Sequence, residues 1–232
     1  MPTRRRHVPV LLLAALLTPA AAARAQSPTG GAEAAPQPEV ASASAGPVSV
    51  STRAGALLRR TLRFRGAIPS SDAGRVVTID LLDELTTTWT PVAHATASAD
   101  GTYVATWTAD RVGPLQLRAR VEAPDAAAAS SAPQLRVTVY PAARATWYGP
   151  GFYGRKTACG TRLRKDTLGV AHRRLPCGTP VTVFYKGRTV TVPVVDRGPF
   201  AHGARWDLTA ATAQAIGFQA TDTVGALKAQ PG

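Results

Sequence analysis

Short runs of alternating apolar and polar residues recur between residues 47 and 140. An alternation with a period of two places one face of a β-strand in a core and the other in water. The runs, separated by turn-forming residues, are VSVS at 48–51, TLRFR at 61–65, RVVTIDLL at 75–82, TPVAHATA at 90–97, TYVATW at 102–107, PLQLRARV at 114–121 and QLRVTVY at 134–140. Seven short strands at this spacing are typical of an immunoglobulin-like β-sandwich, which we predict for residues 47–140.

A similar pattern predicts a β-hairpin over residues 179–196. The turn is Lys186-Gly187, and the alternating apolar residues are Val181, Val183, Tyr185, Val190, Val192 and Val194. Pro193 within the second strand indicates an edge strand or a bulge. Parity places Asp196 on the same inward face as the three later valines, at the end of the row. There it would be partly shielded from water, as a general acid requires. The alternative is an aspartate that only caps the following turn.

A helix is predicted near the C-terminus. Trp206, Asp207 and Leu208 form a short strand that leads into it. Thr209 is suited to cap its start, and Gly217 to end it. This arrangement leaves two interpretations of Asp207 open, a functional carboxylate or a structural hydrogen bond at the junction.

The N-terminal segment has the features of an export signal. Residues 1–25 contain an arginine cluster, a short apolar stretch and an A-x-A cleavage site. Residues 26–46 are rich in Ala, Ser, Pro and Gly, so we predict a flexible leader there. No cysteine follows the signal to carry a lipid, and no apolar run approaches the ~20 residues of a membrane span. We therefore expect a secreted protein without a lipid anchor, located at the cell wall.

The chain is basic, with 27 Lys and Arg against 14 Asp and Glu and a formal charge of +13. Residues 141–232 carry 13 of the basic residues and only four aspartates. An exported basic domain suggests an anionic partner such as peptidoglycan or another anionic cell-wall polymer. Export and the lack of an aromatic–basic motif disfavour nucleic acid. The sequence does not indicate an oligomeric state.

Four ordered blocks sharpen this prediction: ATWYGPGFYGRKTACG at 145–160, LGVAHRRLPCGT at 168–179, VPVVDRGPF at 192–200 and WDLTAATAQAIGF at 206–218. Together they resemble the double-psi β-barrel of the RlpA-like family, which is similar to the first domain of expansins. The resemblance implies an all-β chain, in which the sandwich is followed over residues 141–232 by a six-stranded barrel with one short helix. Some RlpA-type proteins are lytic transglycosylases that cut peptidoglycan, whereas expansin-like proteins loosen walls without hydrolysis.

The resemblance also implies site residues. It makes Asp196, in the D-R-G-P-F block, the catalytic acid and base, and Asp207 the essential carboxylate of the D-L-T block. It places a site histidine at His172, for which a packed barrel histidine is the alternative. The residues expected to bind substrate are Tyr148, Tyr153, Thr157 and Arg197. The flat rings of the two tyrosines suit the faces of sugars.

Two further observations concern the enzyme interpretation and the cysteines. Thr161 stands where catalytic members of the family have a glutamate, so the sequence leaves glycan cleavage and mere binding both open.

In an exported chain, Cys159 and Cys177 are most simply a disulfide pair. Their spacing lacks the C-x-x-C pattern of zinc sites, and we predict no metal or cofactor.

Three hypotheses follow for the whole chain. The first is a secreted protein whose barrel binds peptidoglycan, with cleavage of the glycan as a lytic transglycosylase as a narrower form of the same hypothesis. The second is a non-catalytic, expansin-like module that binds or loosens the wall. The third is a protein-binding module on the same scaffold, which fold alone does not distinguish from the other two.

Overall fold

The structure is a computed structural model that describes residues 38–122, 132–200 and 203–229. The predicted signal segment, and the leader up to residue 37, lie outside these residues. The strands of the first domain are β1 (Val40–Ala45), β2 (Val48–Arg53), β3 (Gly55–Leu57), β4 (Thr61–Ala67), β5 (Val76–Asp83), β6 (Thr88–Thr96), β7 (Thr102–Thr108), β8 (Gly113–Val121) and β9 (Gln134–Tyr140).

These strands form two sheets, ordered β1-β2-β4-β7 and β3-β9-β8-β5-β6. One face of each sheet supplies the core, which includes the fully buried Phe64, Ile79 and Leu117. Buried and exposed residues alternate throughout β7 and over residues 61–65 of β4, as the sequence pattern requires. All seven predicted strands are present, and the β-sandwich is confirmed.

Two strands were not predicted. β1 lies inside the segment 26–46 predicted as a flexible leader, and it pairs along its whole length with β2. The prediction is therefore wrong for Val40–Ala45. Its sequence, VASASA, carries little apolar surface, but backbone hydrogen bonds to a neighbouring strand do not require large side chains. β3 has three residues and pairs in parallel with β9, too short a segment to show a periodicity.

The second domain is a closed barrel ordered β10-β14-β11-β13-β12-β15, and the six-stranded barrel with one short helix is confirmed. Its elements are β10 (Ala142–Tyr148), β11 (Val170–Ala171), β12 (Pro180–Tyr185), β13 (Arg188–Asp196), β14 (Trp206–Thr209), α1 (Ala210–Ile216) and β15 (Asp222–Lys228). Its core combines aliphatic residues from all six strands with Trp206 and Phe218. The described part of the chain contains no helix long and apolar enough to cross a membrane.

The predicted hairpin is β12 and β13, joined at Lys186 and Gly187. Both turn residues have positive φ, 49° and 89°, as a tight type I′ hairpin turn requires. The helix also begins and ends as predicted. The Thr209 side chain accepts a hydrogen bond from the Thr212 backbone N–H, and Gly217 adopts the left-handed conformation after the last turn.

A β-bulge changes the face on which Asp196 lies. Val170 of β11 pairs with Val194, but the next residue, Ala171, pairs with Asp196, so Val195 is extra on β13. Val170 and Val194 belong to the barrel core, which places Ala171 and Asp196 on the outer side. The prediction that Asp196 shares the inward face is wrong, because simple parity does not count the extra residue. The sequence suggested an edge or bulge at Pro193, but β13 lies between two neighbours and the irregularity occurs at Val195.

The two domains are joined directly. Only Pro141 separates β9 from β10, and the ring of Tyr140 stacks on Phe184 of the barrel with centroids 5.0 Å apart. A side chain at Gly55 would collide with the Phe184 ring, and one at Gly225 with Tyr140. Glycine at both positions therefore allows the sandwich and the barrel to pack closely around the aromatic pair.

Candidate functional site

The site is a row of residues across four strands of the barrel. Asp207 of β14 pairs with Thr146 on one side and with Ala171 on the other, and Ala171 pairs in turn with Asp196. Residues that pair directly across strands have their side chains on the same face. The two aspartates therefore flank Ala171 on the outer face, with backbones two strand spacings, about 10 Å, apart.

Backbone groups hold the Asp196 carboxylate in place. Its Oδ1 accepts hydrogen bonds from the backbone N–H groups of Ala158 and Arg197, both at 2.8 Å. Ala158 lies in a turn closed by a hydrogen bond from the Thr157 N–H to the Thr161 carbonyl. Because both donors bind one oxygen, the orientation of the carboxylate is fixed.

The predicted disulfide is present and anchors this turn. Cys159 and Cys177 are bonded, with their Cα atoms 5.6 Å apart. Cys159 directly follows Ala158, and the residue after Cys177, Gly178, donates a backbone hydrogen bond to Val194 of β13. The disulfide thus ties the Asp196-binding turn to the strand that carries Asp196.

Asp207 has a different environment. Its Oδ1 accepts a hydrogen bond from the Thr146 hydroxyl at 2.7 Å. Burial raises the pKa of the Asp207 carboxyl, the Thr146 hydrogen bond opposes that change, and the negative charge of Asp196 adds to it. Asp207 therefore holds a proton at a higher pH than an ordinary aspartate. The sequence identified Asp207 but not Thr146, whose role depends on the pairing of β10 with β14.

Two predicted substrate-binding residues present unsatisfied hydroxyls. The Tyr148 hydroxyl and the Thr157 hydroxyl are both buried, and neither has a hydrogen-bond partner of standard geometry among the described residues. Burial raises the pKa of Tyr148, and the charges of Asp196 and Asp207 raise it further, which places this ring beside both carboxylates. Buried polar atoms are rarely left unpaired, so both hydroxyls are suited to a ligand or water.

His172 is held as a neutral ring. Its Nδ1 accepts hydrogen bonds from the backbone N–H groups of Arg174, at 3.2 Å, and Leu175, at 3.0 Å. Burial lowers the pKa of His172, and nearby arginine charges, that of Arg205 first, lower it further. A neutral imidazole with Nδ1 as acceptor carries its proton on Nε2. The ring also packs on Trp206, with centroids 4.5 Å apart.

Arg197 and Tyr153 have structural contacts that the sequence did not suggest. The Arg197 guanidinium donates to the Leu175 carbonyl at 2.9 Å, so it clamps the turn that follows His172. Tyr153 is half-buried, and its hydroxyl lies where a side chain at Gly149 would collide with it. Arg197 therefore holds the turn after His172, and Tyr153 packs against Gly149.

Exposed aromatic rings flank the site. The Phe152 ring meets Tyr148 edge-on with centroids 6.2 Å apart, and the Arg155 guanidinium lies over its face. Phe200, which closes the D-R-G-P-F block, is 82% exposed. Exposed rings beside fixed carboxylates are typical of surfaces that bind sugars. Among the described residues, no three His, Cys, Asp or Glu side chains are grouped to hold a metal ion.

Comparison with known proteins identifies the barrel. Residues 140–228 match the family model described as lytic transglycolase. A probable endolytic peptidoglycan transglycosylase RlpA from Synechocystis is 49% identical over 79 residues, which are 33% of this chain and 25% of that protein. The barrel is an RlpA-like domain.

Other relatives cover the same region. A protein of the same description from Aquifex aeolicus is 47% identical over 32% of this chain and 34% of its own length. The endolytic peptidoglycan transglycosylase RlpA of Campylobacter jejuni is 43% identical over 34% of this chain and 30% of its own length. The chain thus spans about a quarter to a third of the length of these three relatives. Among solved structures, the Streptomyces papain inhibitor is 26% identical over 36% of this chain and 90% of its own, with a TM-score of 0.28.

Proposed function

We propose that this protein is a secreted enzyme that cleaves the glycan strands of peptidoglycan as a lytic transglycosylase. The observation that carries the proposal is the pair of carboxylates, Asp196 and Asp207, flanking Ala171 beside the buried hydroxyls of Tyr148 and Thr157. The names of the relatives that match the barrel support this reaction class. The signal-like residues 1–25 and the basic charge of the barrel support a location at the wall.

In this proposal Asp196 is the acid and then the base. As an acid, it gives its proton to the glycosidic oxygen while the bond from that oxygen to C1 of the muramyl sugar breaks. The C6 hydroxyl of the same sugar then forms a bond to C1, and its proton passes to Asp196. The products are a free sugar hydroxyl and a 1,6-anhydro end, water is not consumed, and the carboxyl returns to its starting state.

The threonine at position 161 is compatible with this chemistry. An ordinary glycosidase uses a second carboxylate as nucleophile or to activate water. Here the substrate supplies its own nucleophile, so that role is absent. Asp207, whose Oδ1 is held by the Thr146 hydroxyl, is suited to bind a sugar hydroxyl, and His172 to donate a hydrogen bond from Nε2.

The test is product analysis with purified protein and peptidoglycan, using mass spectrometry to detect anhydro-muramyl ends. We expect the native chain to produce them and Asp196→Asn to reduce the rate at least about 100-fold. Asparagine retains an oxygen that can accept the hydrogen bonds from Ala158 and Arg197, so the turn should persist. The matched control is Asp166→Asn, an exposed aspartate of the same domain, which should leave the rate unchanged.

His172→Asn tests the role of the histidine. An asparagine oxygen can take the place of Nδ1 and accept the hydrogen bonds from Arg174 and Leu175, while the Nε2 donor is lost. We expect a lower rate at an unchanged melting temperature.

Anhydro ends formed at the native rate by Asp196→Asn would contradict the assignment of that residue.

The second candidate is a non-catalytic wall-binding module, and the observation that favours it is Thr161 in place of the family glutamate. It predicts that the protein sediments with insoluble peptidoglycan, that added salt weakens this binding, and that no anhydro ends appear. The same mass spectrometry therefore separates the two functions.

A further inference from the structure

A buried carboxylate lies on the outer face of the sheet that contains β5 and β8. Ile79 and Leu81 of β5 belong to the core of the sandwich, so Asp80 between them projects from the opposite side of the sheet. The Asp80 side chain is nevertheless only 2% exposed. Carboxylates on the solvent side of a sheet are normally hydrated, so this one is buried by a specific cluster of neighbours.

Two arginines of β8 cover Asp80. Arg118 and Arg120 alternate with the core residues Leu117 and Ala119, which places them on the same outer face. Each arginine donates a hydrogen bond from Nε to Asp80 Oδ2, at 2.9 Å for Arg118 and 3.3 Å for Arg120. Their side chains are 17% and 26% exposed, so both still reach the surface.

This cluster holds the two guanidinium groups in place and leaves part of them unused. The Arg118 guanidinium also lies over the ring of Trp89, 4.4 Å from its centroid. The terminal Nη groups of Arg118 and Arg120 form no hydrogen bond with the residues that the structure describes, and Asp80 Oδ1 has no partner there either. The two arginines share one carboxylate, so one positive charge is left over. Oriented guanidinium donors with a surplus charge favour an oxyanion, and a carboxylate matches their geometry.

The neighbouring side chains suit a sugar that carries such an anion. Trp89 pairs with Leu82, which lies two residues after Asp80 and therefore on the same outer face. Gln116 of β8 extends this face, and its side-chain amide donates a hydrogen bond to that of Gln134 on β9 at 2.6 Å. An aromatic ring and amide groups beside an arginine pair are features of surfaces that bind carbohydrate.

We propose that this outer face of the sandwich binds a free carboxylate of a glycan strand, with Arg118 and Arg120 as the groups that receive it. The proposal rests on the proposed function for the identity of the glycan. In peptidoglycan, the muramyl sugar carries a lactyl carboxylate, which is charged wherever no stem peptide is attached to it. That anion fits the arginine pair, and the sugar that bears it can contact Trp89. The sandwich thereby holds the polymer at a site separate from the carboxylate row of the barrel.

The test compares two oligosaccharides of equal length, by titration calorimetry with the full chain carrying Asp196→Asn so that neither is cut. One is the glycan strand of peptidoglycan after an amidase has removed the stem peptides. The other is a chitooligosaccharide, which has the same linkage and acetamido groups but no carboxylate. We expect the stripped strand to bind about tenfold more tightly, and added salt to reduce the difference. Hyaluronan, whose carboxylates belong to uronic acids, tests the source of the anion.

The binding variant replaces Arg118 and Arg120 by lysine in the same background. Lysine keeps a positive charge opposite the buried Asp80 but lacks the planar set of donors, so the fold should persist. Affinity for the stripped strand should fall about tenfold, and affinity for the chitooligosaccharide should not change. The matched control replaces Arg63 and Arg65, two exposed arginines of β4 in the other sheet, by lysine and should bind as its parent does.

A second variant guards against unfolding of the first. It replaces Asp80 by asparagine and both Arg118 and Arg120 by glutamine, so the ionic group is removed as a whole and no buried charge is left unpaired. It should lose the same affinity for the stripped strand. The melting temperature of each variant shows whether it is folded.

Three results would overturn the proposal. Equal affinity of the parent for the two oligosaccharides would show that no carboxylate is recognised. Unchanged binding of the stripped strand by a folded variant would show that the arginine pair is not the receptor, and tighter binding of hyaluronan would exclude the muramyl carboxylate as its ligand. Cleavage is measured separately, with Asp196 intact. An absence of anhydro ends would defeat the proposed reaction, while the calorimetric comparison would still decide the role of the sandwich.

Discussion

At the scale of single residues, the outer face of the barrel concentrates polar groups whose environments differ sharply. The Asp196 carboxylate is fixed by two backbone donors, whereas Asp207 is more deeply buried and has one hydroxyl partner. Two residues of one type therefore have different hydrogen-bond partners and different burial, as a site that separates proton transfer from substrate binding requires.

Asp207→Asn should make the protein more stable at neutral pH. The pKa of Asp207 is higher in the folded state than in the unfolded chain. Between these two pKa values the folded protein binds more protons than the unfolded chain does. The free energy of unfolding therefore falls as the pH rises through that range. Asparagine has no charge to bury and can still accept the Thr146 hydrogen bond. Thermal unfolding should show a melting-temperature gain at pH 7 that shrinks at pH 3. A gain that is the same at both pH values would contradict this account.

The sequence identified most of the chemistry-bearing residues but not their contacts. Arg197 was expected to bind substrate, yet its guanidinium donates to a backbone carbonyl of the turn after His172. Thr146 was not singled out, although it supports Asp207. Motifs indicate which residue types occur together. The partner of each side chain depends on strand pairing, which one sequence does not reveal.

At the scale of elements, alternation predicted seven strands of the sandwich and the β12–β13 hairpin of the barrel, but not β10, β11 or β15. It failed for β1 and β3, because short or Ala/Ser-rich strands are held mainly by backbone pairing. It also failed at the bulge of β13, where one extra residue reverses the face of Asp196. A bulge of one residue leaves the alternation of apolar and polar residues almost unchanged. Its position therefore cannot be predicted from the sequence alone.

Replacing Cys159 and Cys177 together by serine should lower the free energy of unfolding by about 3 kcal/mol, since the disulfide closes an 18-residue separation. The turn that donates the Ala158 hydrogen bond to Asp196 should also loosen. We expect glycan cleavage to fall more than wall binding does. Denaturant unfolding measures the free energy of unfolding, and product analysis measures the rate of glycan cleavage. Unchanged cleavage in a correctly folded variant would show that the turn does not need this covalent anchor.

At the scale of the whole molecule, the junction between sandwich and barrel is a packed contact. Tyr140 is 4% exposed and Phe184 is 6% exposed, and the two rings are stacked. The backbone N–H of Glu39, just before β1, donates to the Gly187 carbonyl in the β12–β13 turn at 2.7 Å. The strand missed by the sequence analysis therefore begins beside the barrel.

Phe184→Ala should weaken this junction. Removing a buried phenylalanine costs about 3–5 kcal/mol, and the loss should fall on the contact between domains as well as on the barrel. Calorimetry should show one unfolding transition for the native chain and two for the variant. Phe200→Ala, at a largely exposed ring, is the control and should leave a single transition at the native temperature. Two transitions in the native chain would contradict the coupling.

A link of one proline has a consequence for the polymer itself. Since the sandwich and the barrel cannot swing apart freely across Pro141, a polymer that touched both would be held with its contact on the sandwich at a set distance from Asp196. That distance is a property of the protein and not of the glycan. Under the proposed function, glycan cleavage would then recur at a preferred spacing from that contact, and fragment lengths would cluster. Two domains that moved independently would instead release fragments with a broad distribution of lengths.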